Sequence, residues 1–178
     1  MEALECILTR RSVREFDKNK TINKETAYNL IRAAMYAPSA HNKKPWEFVI
    51  VDNRSILDEF PKLQQWTKFA ESAPMAIIVC KNLETSYKYS ETEDFADIDC
   101  AAATQNMLLA AHAFGLGACW CGVAPMADKV KDFKKLLKLP EQLDPFSIVI
   151  MGYPVKEPFQ PKERLDEQKI HWNKYSED

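Results

Sequence analysis

Three arginines and a serine lie within five residues near the start of the chain, in the segment RRSVREF. A guanidinium group presents several N–H donors in a planar fork that matches the oxygens of a phosphate. Arg10, Arg11, Ser12 and Arg14 are therefore candidates for binding a small anion. Alternatively, these cations complement the carboxyl end of the preceding helix, where the helix dipole favours positive charge. Taken alone, the spacing favours this second interpretation.

A second polar segment, residues 37–46 (APSAHNKKPW), connects a predicted helix to a predicted strand. Two prolines and a tryptophan enclose it, and a merely solvated loop does not need such rigid ends. A stiff loop that offers Ser, Asn and backbone groups to a ligand is one interpretation. A tight turn that buries Trp46 in the core is equally consistent with the spacing.

Glycines and cysteines are combined in residues 115–123 (GLGACWCGV). Because side chains alternate along a strand, Cys119 and Cys121 are expected on one face and Trp120 on the other. Gly122 would let the backbone approach a flat ligand closely. Cys121 as a nucleophile would need a base, to which nothing in the sequence points, and buried inert thiols are more common.

The tail from residue 152 onwards is charged and contains the basic residues Lys162 and Arg164. Solubilising surface charge is the default interpretation of such residues. The tail has too little apolar content to fold alone, so it is expected to lie across another surface.

Length and composition limit the function. With 178 residues, 46% hydrophobic and 28% charged, the chain is expected to be one globular domain. Its net charge of −2 provides no basic field for nucleic acid, so no nucleic-acid partner is predicted. Its four glycines spell neither of the usual glycine-rich nucleotide-binding motifs. If the protein binds a phosphate, side chains must do most of the work.

The cysteines and the apolar segments bear on location. Five cysteines without a predicted signal peptide indicate reduced thiols and a cytoplasmic protein. The histidines are scattered and no second pair accompanies the C-x-C, so no metal site is expected. Residues 100–127 lack charged side chains, but polar residues, glycines and a proline interrupt them. They are predicted to form a buried helix followed by a strand, and no membrane partner is expected.

Helices and strands alternate along the predicted secondary structure. Helices are predicted over residues 2–9, 24–36 (with Asn23 as N-cap), 53–60, 97–114 and 128–139, and strands over 46–51, 75–80, 118–123 and 146–151. Residues 83–94 are predicted to be a loop or lid. This order indicates a three-layer α/β or α+β domain. The helix at 97–114 is apolar on nearly every side, so it is expected to be central to the fold or to an oligomer.

Together, the order and spacing of these segments resemble the nitroreductase family of flavoproteins. The resemblance implies an α+β, three-layer fold with a central mixed sheet flanked by helices. It also implies an intertwined homodimer with FMN at the subunit interface. The chain would be a single FMN-binding domain, residues 1–178, with 152–178 as a C-terminal extension wrapping the partner subunit.

The same resemblance implies which residues bind FMN. The phosphate and ribityl chain would be held by Arg10, Arg11, Ser12 and Arg14, with Lys162 and Arg164 from the tail. The loop that reaches the flavin from the partner subunit would comprise Pro38, Ser39, Ala40 and Asn42. The flavin ring would meet a backbone N–H at Cys121 and Gly122 and an amide at Gln65. Lys44 stands where many relatives have Gln, so the polar contact at that position differs.

The activity implied is hydride transfer from NADH or NADPH to flavin N5, then reduction of a small acceptor such as a nitroaromatic or quinone by a ping-pong mechanism. No catalytic side chain is required, because the cofactor carries this chemistry. Two alternatives remain open: a flavin-binding or sensing module without turnover, and a reductive dehalogenase or flavin-fragmenting enzyme of the same fold.

Overall fold

The computed structural model describes residues 1–92, 94–156, 159 and 162–175, so part of the predicted C-terminal extension lies outside the described residues. Four strands form a sheet in the order β1-β2-β4-β3. They are β1 (Trp46–Val51), β2 (Met75–Asn82), β3 (Gly117–Gly122) and β4 (Leu143–Gly152). Strands β1 and β3 are therefore the two edges of this sheet.

The direction of the strands differs from the expectation. All three strand pairs are antiparallel, whereas a mixed sheet was expected. Among the described residues, the one parallel contact at this sheet is an isolated bridge between Ser12 and Ala118 on β3. Apolar runs identify strands in the sequence but carry no information about their relative direction, which depends on the path of the connecting helices.

Helices cover both faces of the sheet. One layer contains α2 (Lys24–Met35) and α5 (Ala96–Ala113), and α1 (Ala3–Thr9) packs on α5. The other layer contains α3 (Arg54–Leu57), α4 (Phe60–Leu63), a 3-10 helix at Gln65–Ser72, and α6 (Ala127–Leu137). Short 3-10 turns also occur at Ala40–Asn42 and Glu167–Lys169. The predicted three-layer α+β architecture is confirmed.

Strand alternation divides the core into two parts. On β2, Ile77 and Val79 face the α2 and α5 layer, while Ile78 faces the opposite layer. In that second layer Phe60 and Phe133 meet edge to face, with ring centroids 5.3 Å apart. Both faces of the sheet are thus buried, which explains why the strands appear in the sequence as continuous apolar runs.

Some element boundaries differ for local reasons. The predicted helix over 53–60 is two short helices, because Pro61 lies in the first turn of α4, where a missing N–H costs little. The 3-10 helix at Gln65–Ser72 was not predicted. Strand β4 begins at Leu143 rather than at 146, and Pro145 is accommodated beside a register shift in the pairing with β2. Asn23 caps α2 as predicted, its side chain accepting a hydrogen bond from the Thr26 amide.

The central helix α5 is buried on one side only. Ala103, Met107 and Ala111 are inaccessible to solvent, whereas Ile98 is 64% exposed and Gln105 is also exposed. One side of this largely apolar helix is therefore open to solvent in the single chain.

Gly117 allows the segment after α1 to lie directly on the edge strand β3. The Val13 amide donates a hydrogen bond to the Ala118 carbonyl (3.0 Å). A Cβ at Gly117 would lie 2.6 Å from the Cβ of Val13, which is closer than real carbon atoms approach. Because that contact involves the base of the Val13 side chain, a larger residue would push the backbone of residues 12–14 away from the sheet.

We expect Gly117→Ala to lower the free energy of unfolding by about 1–3 kcal/mol, the usual cost of overpacking. Gly122→Ala is the matched control on the same strand, because its Cβ would meet only the Ala124 carbonyl at 3.7 Å. Urea denaturation of the cofactor-free proteins measures both. Equal stability of the two variants would contradict the close approach at Gly117.

Candidate functional site

The buried cation of the N-terminal segment is Arg11, whose residue is only 6% exposed. Its Nη1 atom donates hydrogen bonds to the carbonyls of Leu8 (3.0 Å) and Arg10 (2.5 Å). Its Nε and Nη2 atoms are buried and have no hydrogen-bond partner among the described residues. Burial lowers the pKa of this guanidinium, and the charges of Arg164 and Arg10 lower it further. Among the described residues, the neighbouring charges thus do not compensate that of Arg11.

A cavity of about 390 Å³ adjoins this guanidinium. Its walls contain four cations, namely Arg10, Arg11, Lys162 and Arg164. The one carboxylate there, Glu163, accepts hydrogen bonds from the amides of Arg164 (2.6 Å) and Leu165 (2.8 Å). The cavity thus combines unpaired donors with excess positive charge, which is the arrangement that binds a phosphate group.

A second cavity, of about 300 Å³, lies against β3. It is lined by Arg14, Gln64, Trp66, Cys119, Trp120, Cys121, Gly122 and Met126. The Gln64 side-chain amide donates to the Gly122 carbonyl (3.1 Å), which fixes the orientation of the peptide group there. Trp66 is 69% exposed and offers a large aromatic surface to a flat ligand.

Two buried thiols on β3 lie beside this cavity. The Cys119 thiol donates to the Trp120 carbonyl (3.8 Å), and the Cys121 thiol donates to the Trp66 carbonyl (3.5 Å). The neighbouring Cys121 thiol, with the charges of Arg14 and Arg10, lowers the pKa of Cys119 to about 7, whereas Cys119 and burial raise the pKa of Cys121.

The second predicted loop is held by a buried carboxylate that sequence reasoning missed. The Ala40 amide donates to Oδ1 of Asp99 on α5 (3.0 Å), and the Lys44 amide donates to the Ser39 hydroxyl (2.9 Å). Asp99 is 3% exposed, and burial raises the pKa of its carboxyl group. Its Oδ2 atom has no partner among the described residues.

The same loop has an unusual backbone and an aromatic brace. His41, Asn42 and Lys44 all have φ between 49° and 54°, a left-handed conformation that non-glycine residues adopt only where their surroundings enforce it. The His41 ring stacks on Tyr87 with centroids 3.9 Å apart. The segment 83–94, predicted to be a loop, therefore contacts the outer side of this second loop.

The structure brings the predicted site residues together as two groups. Near the β3 edge lie Arg10, Arg11, Ser12, Arg14, Cys121, Gly122, Lys162 and Arg164. The loop residues Pro38, Ser39, Ala40 and Asn42 precede β1, the opposite edge strand. Three strand spacings, roughly 14 Å, separate those edges within one chain.

Gln64 and Asp99, which the sequence-based reasoning missed, line or support the site. Gln65 is exposed and does not line the β3 cavity, whereas its neighbour Gln64 does; an amide contact at Gln65 stays a prediction. Sequence spacing could not choose between adjacent glutamines, because a 3-10 helix begins there. Asp99 left no distinct signal, because Asp97 precedes it by two residues and acidic side chains are common in the first turn of a helix.

Comparison with known proteins identifies the family. Residues 7–153 match the sequence model of the Nitroreductase family. The chain belongs to the nitroreductase family. The predicted family and the predicted enzyme class, a flavin oxidoreductase, are thereby confirmed.

Relatives of this nitroreductase family member cover nearly its whole length. A Methanothermobacter thermautotrophicus protein, provisionally named NADH dehydrogenase/NAD(P)H nitroreductase, is 38% identical over 98% of this chain and 88% of its own. A crystal structure from Bacteroides thetaiotaomicron with the same provisional name is 40% identical, with a TM-score of 0.89 and coverage of 97% and 98%. An FMN-dependent nitroreductase from Clostridium difficile is 27% identical, with a TM-score of 0.86 and coverage of 97% and 99%.

None of the helices in the described residues has both the length and the apolarity to cross a membrane. Within the same residues, no group of three or more His, Cys, Asp or Glu side chains is placed to hold a metal ion.

Asp99→Ala is expected to lower the free energy of unfolding by about 1–3 kcal/mol, because the buried Ala40 amide loses its acceptor. Asp99→Asn keeps an acceptor oxygen and should cost less.

The raised pKa of Asp99 means that the folded protein binds this proton more tightly than the unfolded chain. Wild-type stability relative to Asp99→Asn should therefore fall as the pH rises through that raised pKa. Urea titrations from pH 4 to 8 measure both effects, and parallel pH profiles for the two proteins would refute the second.

Proposed function

We propose that this protein is an FMN-dependent oxidoreductase that takes hydride from NAD(P)H and reduces a small acceptor, such as a nitroaromatic or a quinone, by a ping-pong mechanism. The observation that carries the proposal is the cationic cavity, where Arg11, whose buried Nε and Nη2 atoms have no partner among the described residues, lies beside three further cations. The FMN and the NAD(P)H in the names of the relatives agree with it.

The phosphate of FMN fits the cationic cavity by its chemistry. A phosphate monoester carries nearly two negative charges at neutral pH and has three acceptor oxygens. It would satisfy the free Nε and Nη2 donors of Arg11 and neutralise Arg10 and Arg164. The Ser12 hydroxyl lies at the start of β3 and would hold the adjoining ribityl chain.

The neighbouring cavity along β3 suits the flavin ring. The Gln64 hydrogen bond fixes the Gly122 carbonyl at the end of the strand, where the backbone N–H groups of Cys121 and Gly122 would meet a polar edge of the ring. Trp66 and Met126 would cover the apolar part and exclude water. When bound, FMN supplies the hydride chemistry itself, so the protein has to bind, orient and shield it.

The second loop requires another copy of the chain. Ser39 and Asn42 precede the edge strand β1, across the sheet from the cationic cavity, so they are placed to reach the flavin of a partner subunit. The left-handed backbone of this loop, tied to Asp99, presents its polar groups in one fixed conformation. Each flavin would then lie between two chains of a homodimer.

Exposed apolar side chains support the dimer. On α1, Leu4, Ile7 and Leu8 are 73%, 53% and 66% exposed. In the tail, Leu165 and Trp172 are 68% and 85% exposed. Monomeric proteins rarely leave so many large apolar groups in water. We infer that α1 and the open side of α5 pair with a second chain, and that the extension from residue 152 wraps it.

Three measurements test the activity. The purified protein should be yellow, bleach on anaerobic addition of NADH or NADPH, and oxidise the nicotinamide steadily when a quinone or nitroaromatic is supplied. Bound FMN that bleaches without steady turnover would instead support a binding or sensing module. A colourless protein that does not take up added FMN would overturn the proposal.

Removing a phosphate contact should weaken FMN binding without unfolding the protein. A hydrogen bond to a charged group contributes about 1.5–3 kcal/mol, so Arg10→Ala and Arg164→Ala should each raise the FMN dissociation constant about tenfold or more. Lys169→Ala removes a cation from the same tail, where it pairs with Asp166, and serves as the matched control. Flavin fluorescence titration gives the constants. Unchanged affinity in both arginine variants would place the phosphate elsewhere.

Dimerisation and FMN binding should be linked. Leu4→Asp places a charge on the exposed apolar face of α1, at a residue that does not line the cationic cavity, so it should shift the protein towards monomer and raise the FMN dissociation constant. Light scattering and the same fluorescence titration measure the two effects. A monomer that binds FMN at wild-type strength would rule out the shared site.

A further inference from the structure

A pair of thiols on β3 has no role in the proposed FMN site, which needs only backbone groups at Cys121 and Gly122. Cys119 and Cys121 are both free, lie two residues apart on the same face of the strand, and line the same cavity. Because side chains alternate along a strand, both thiols are directed to the same wall of that cavity.

The other cysteines have different surroundings. Cys6 is a residue of α1, Cys100 and Cys80 are packed in the two cores, and none of the three lines the β3 cavity. Burial raises the pKa of all three thiols, to about 12 for Cys80. At Cys119, by contrast, the neighbouring Cys121 thiol and the charge of Arg14 lower the pKa to about 7, whereas Cys119 and burial raise the pKa of Cys121. Cys119 is therefore the thiol expected to react first, with Cys121 two residues away to form the second bond.

The strand geometry prevents the two thiols from closing a disulfide. Residues two apart on a strand have parallel Cβ directions and lie roughly 6.6 Å apart. A disulfide requires Cβ atoms about 3.5–4.5 Å apart. Strand β3 is paired with β4 along Gly117–Gly122, so its backbone cannot shorten locally. The pair therefore remains a dithiol, and one additional atom is needed to bridge the sulfurs.

We propose that Cys119 and Cys121 form a dithiol site that binds one soft, thiophilic acceptor atom, with trivalent arsenicals as the ligand class. Thiolate sulfur is a soft ligand and prefers such acceptors. With an organoarsenic(III) oxide, two As–S bonds form, the As–O bonds and two S–H bonds break, and one water leaves. Arsenic remains trivalent, so the step needs neither an oxidant nor a reductant.

The surroundings of the pair favour this ligand. Trp66 and Met126, 69% and 38% exposed, form an apolar rim that an aryl or alkyl group on arsenic would contact. The Cys121 thiol donates only a long hydrogen bond, 3.5 Å, to the Trp66 carbonyl, so little is lost when the proton leaves. Because the same cavity is the proposed place of the flavin ring, an arsenical there should exclude FMN. This second consequence rests on the proposed function, whereas the binding itself does not.

Phenylarsine oxide is the probe that tests the site. Cofactor-free protein is mixed with one equivalent, and intact-mass spectrometry counts the adducts before and after a challenge with excess monothiol. Wild type and Cys6→Ser, the control for a buried thiol elsewhere, should each retain one arsenic per chain. Cys119→Ser and Cys121→Ser should each lose at least nine-tenths of the retained adduct, because a single As–S bond exchanges with the monothiol.

Two further measurements keep the test decisive. Tandem mass spectrometry of the wild-type adduct should place arsenic across Cys119 and Cys121, which covers the case in which a serine variant fails to fold. An adduct on Cys100, or one that survives in either folded serine variant, would overturn the dithiol site. Saturating FMN should slow adduct formation at least tenfold. If both cysteines are required but FMN gives no protection, the dithiol site stands and the proposed position of the flavin ring falls.

Discussion

A buried guanidinium with unsatisfied donors is the constraint on which the rest of the candidate site depends. Arg11 is almost fully enclosed, yet two of its donor atoms have no partner among the described residues. Burying an unpaired charge is costly, and proteins tolerate it where a ligand completes the pair. The segment that carries Arg11 packs closely on β3 at Gly117, and the tail adds the charge of Arg164 to the same cavity.

The antiparallel sheet then determines how the site is divided. Its edge strands β1 and β3 support the two halves of the candidate site, so one chain cannot bring the loop at Ser39 and Asn42 to its own cationic cavity. The exposed apolar sides of α1 and α5 provide the surface through which a second chain would supply it. Asp99 links these features, because it belongs to α5 and holds the loop through the Ala40 amide.

Cofactor chemistry also explains why the site needs no catalytic side chain. The cavities contain cations, a fixed peptide group and aromatic surface, and hydride transfer at a flavin requires no further group from the protein. The thiol pair at Cys119 and Cys121 is additional to that requirement. Position alone distinguishes this pair from the other three thiols, since both Cys119 and Cys121 line the β3 cavity.

The sequence by itself determined the family, the layers and most of the elements. Apolar runs marked all four strands, and the cap at Asn23 marked a helix, because these signals are local. The segments around Arg10 and Ser39 identified candidate site residues through their resemblance to a known pattern. Strand direction, the buried state of Arg11 and the contact between Gln64 and Gly122 were decided only by the tertiary structure. Each depends on which distant segments meet, as when the Gln64 amide reaches the Gly122 carbonyl 58 residues away. No local pattern contains that information.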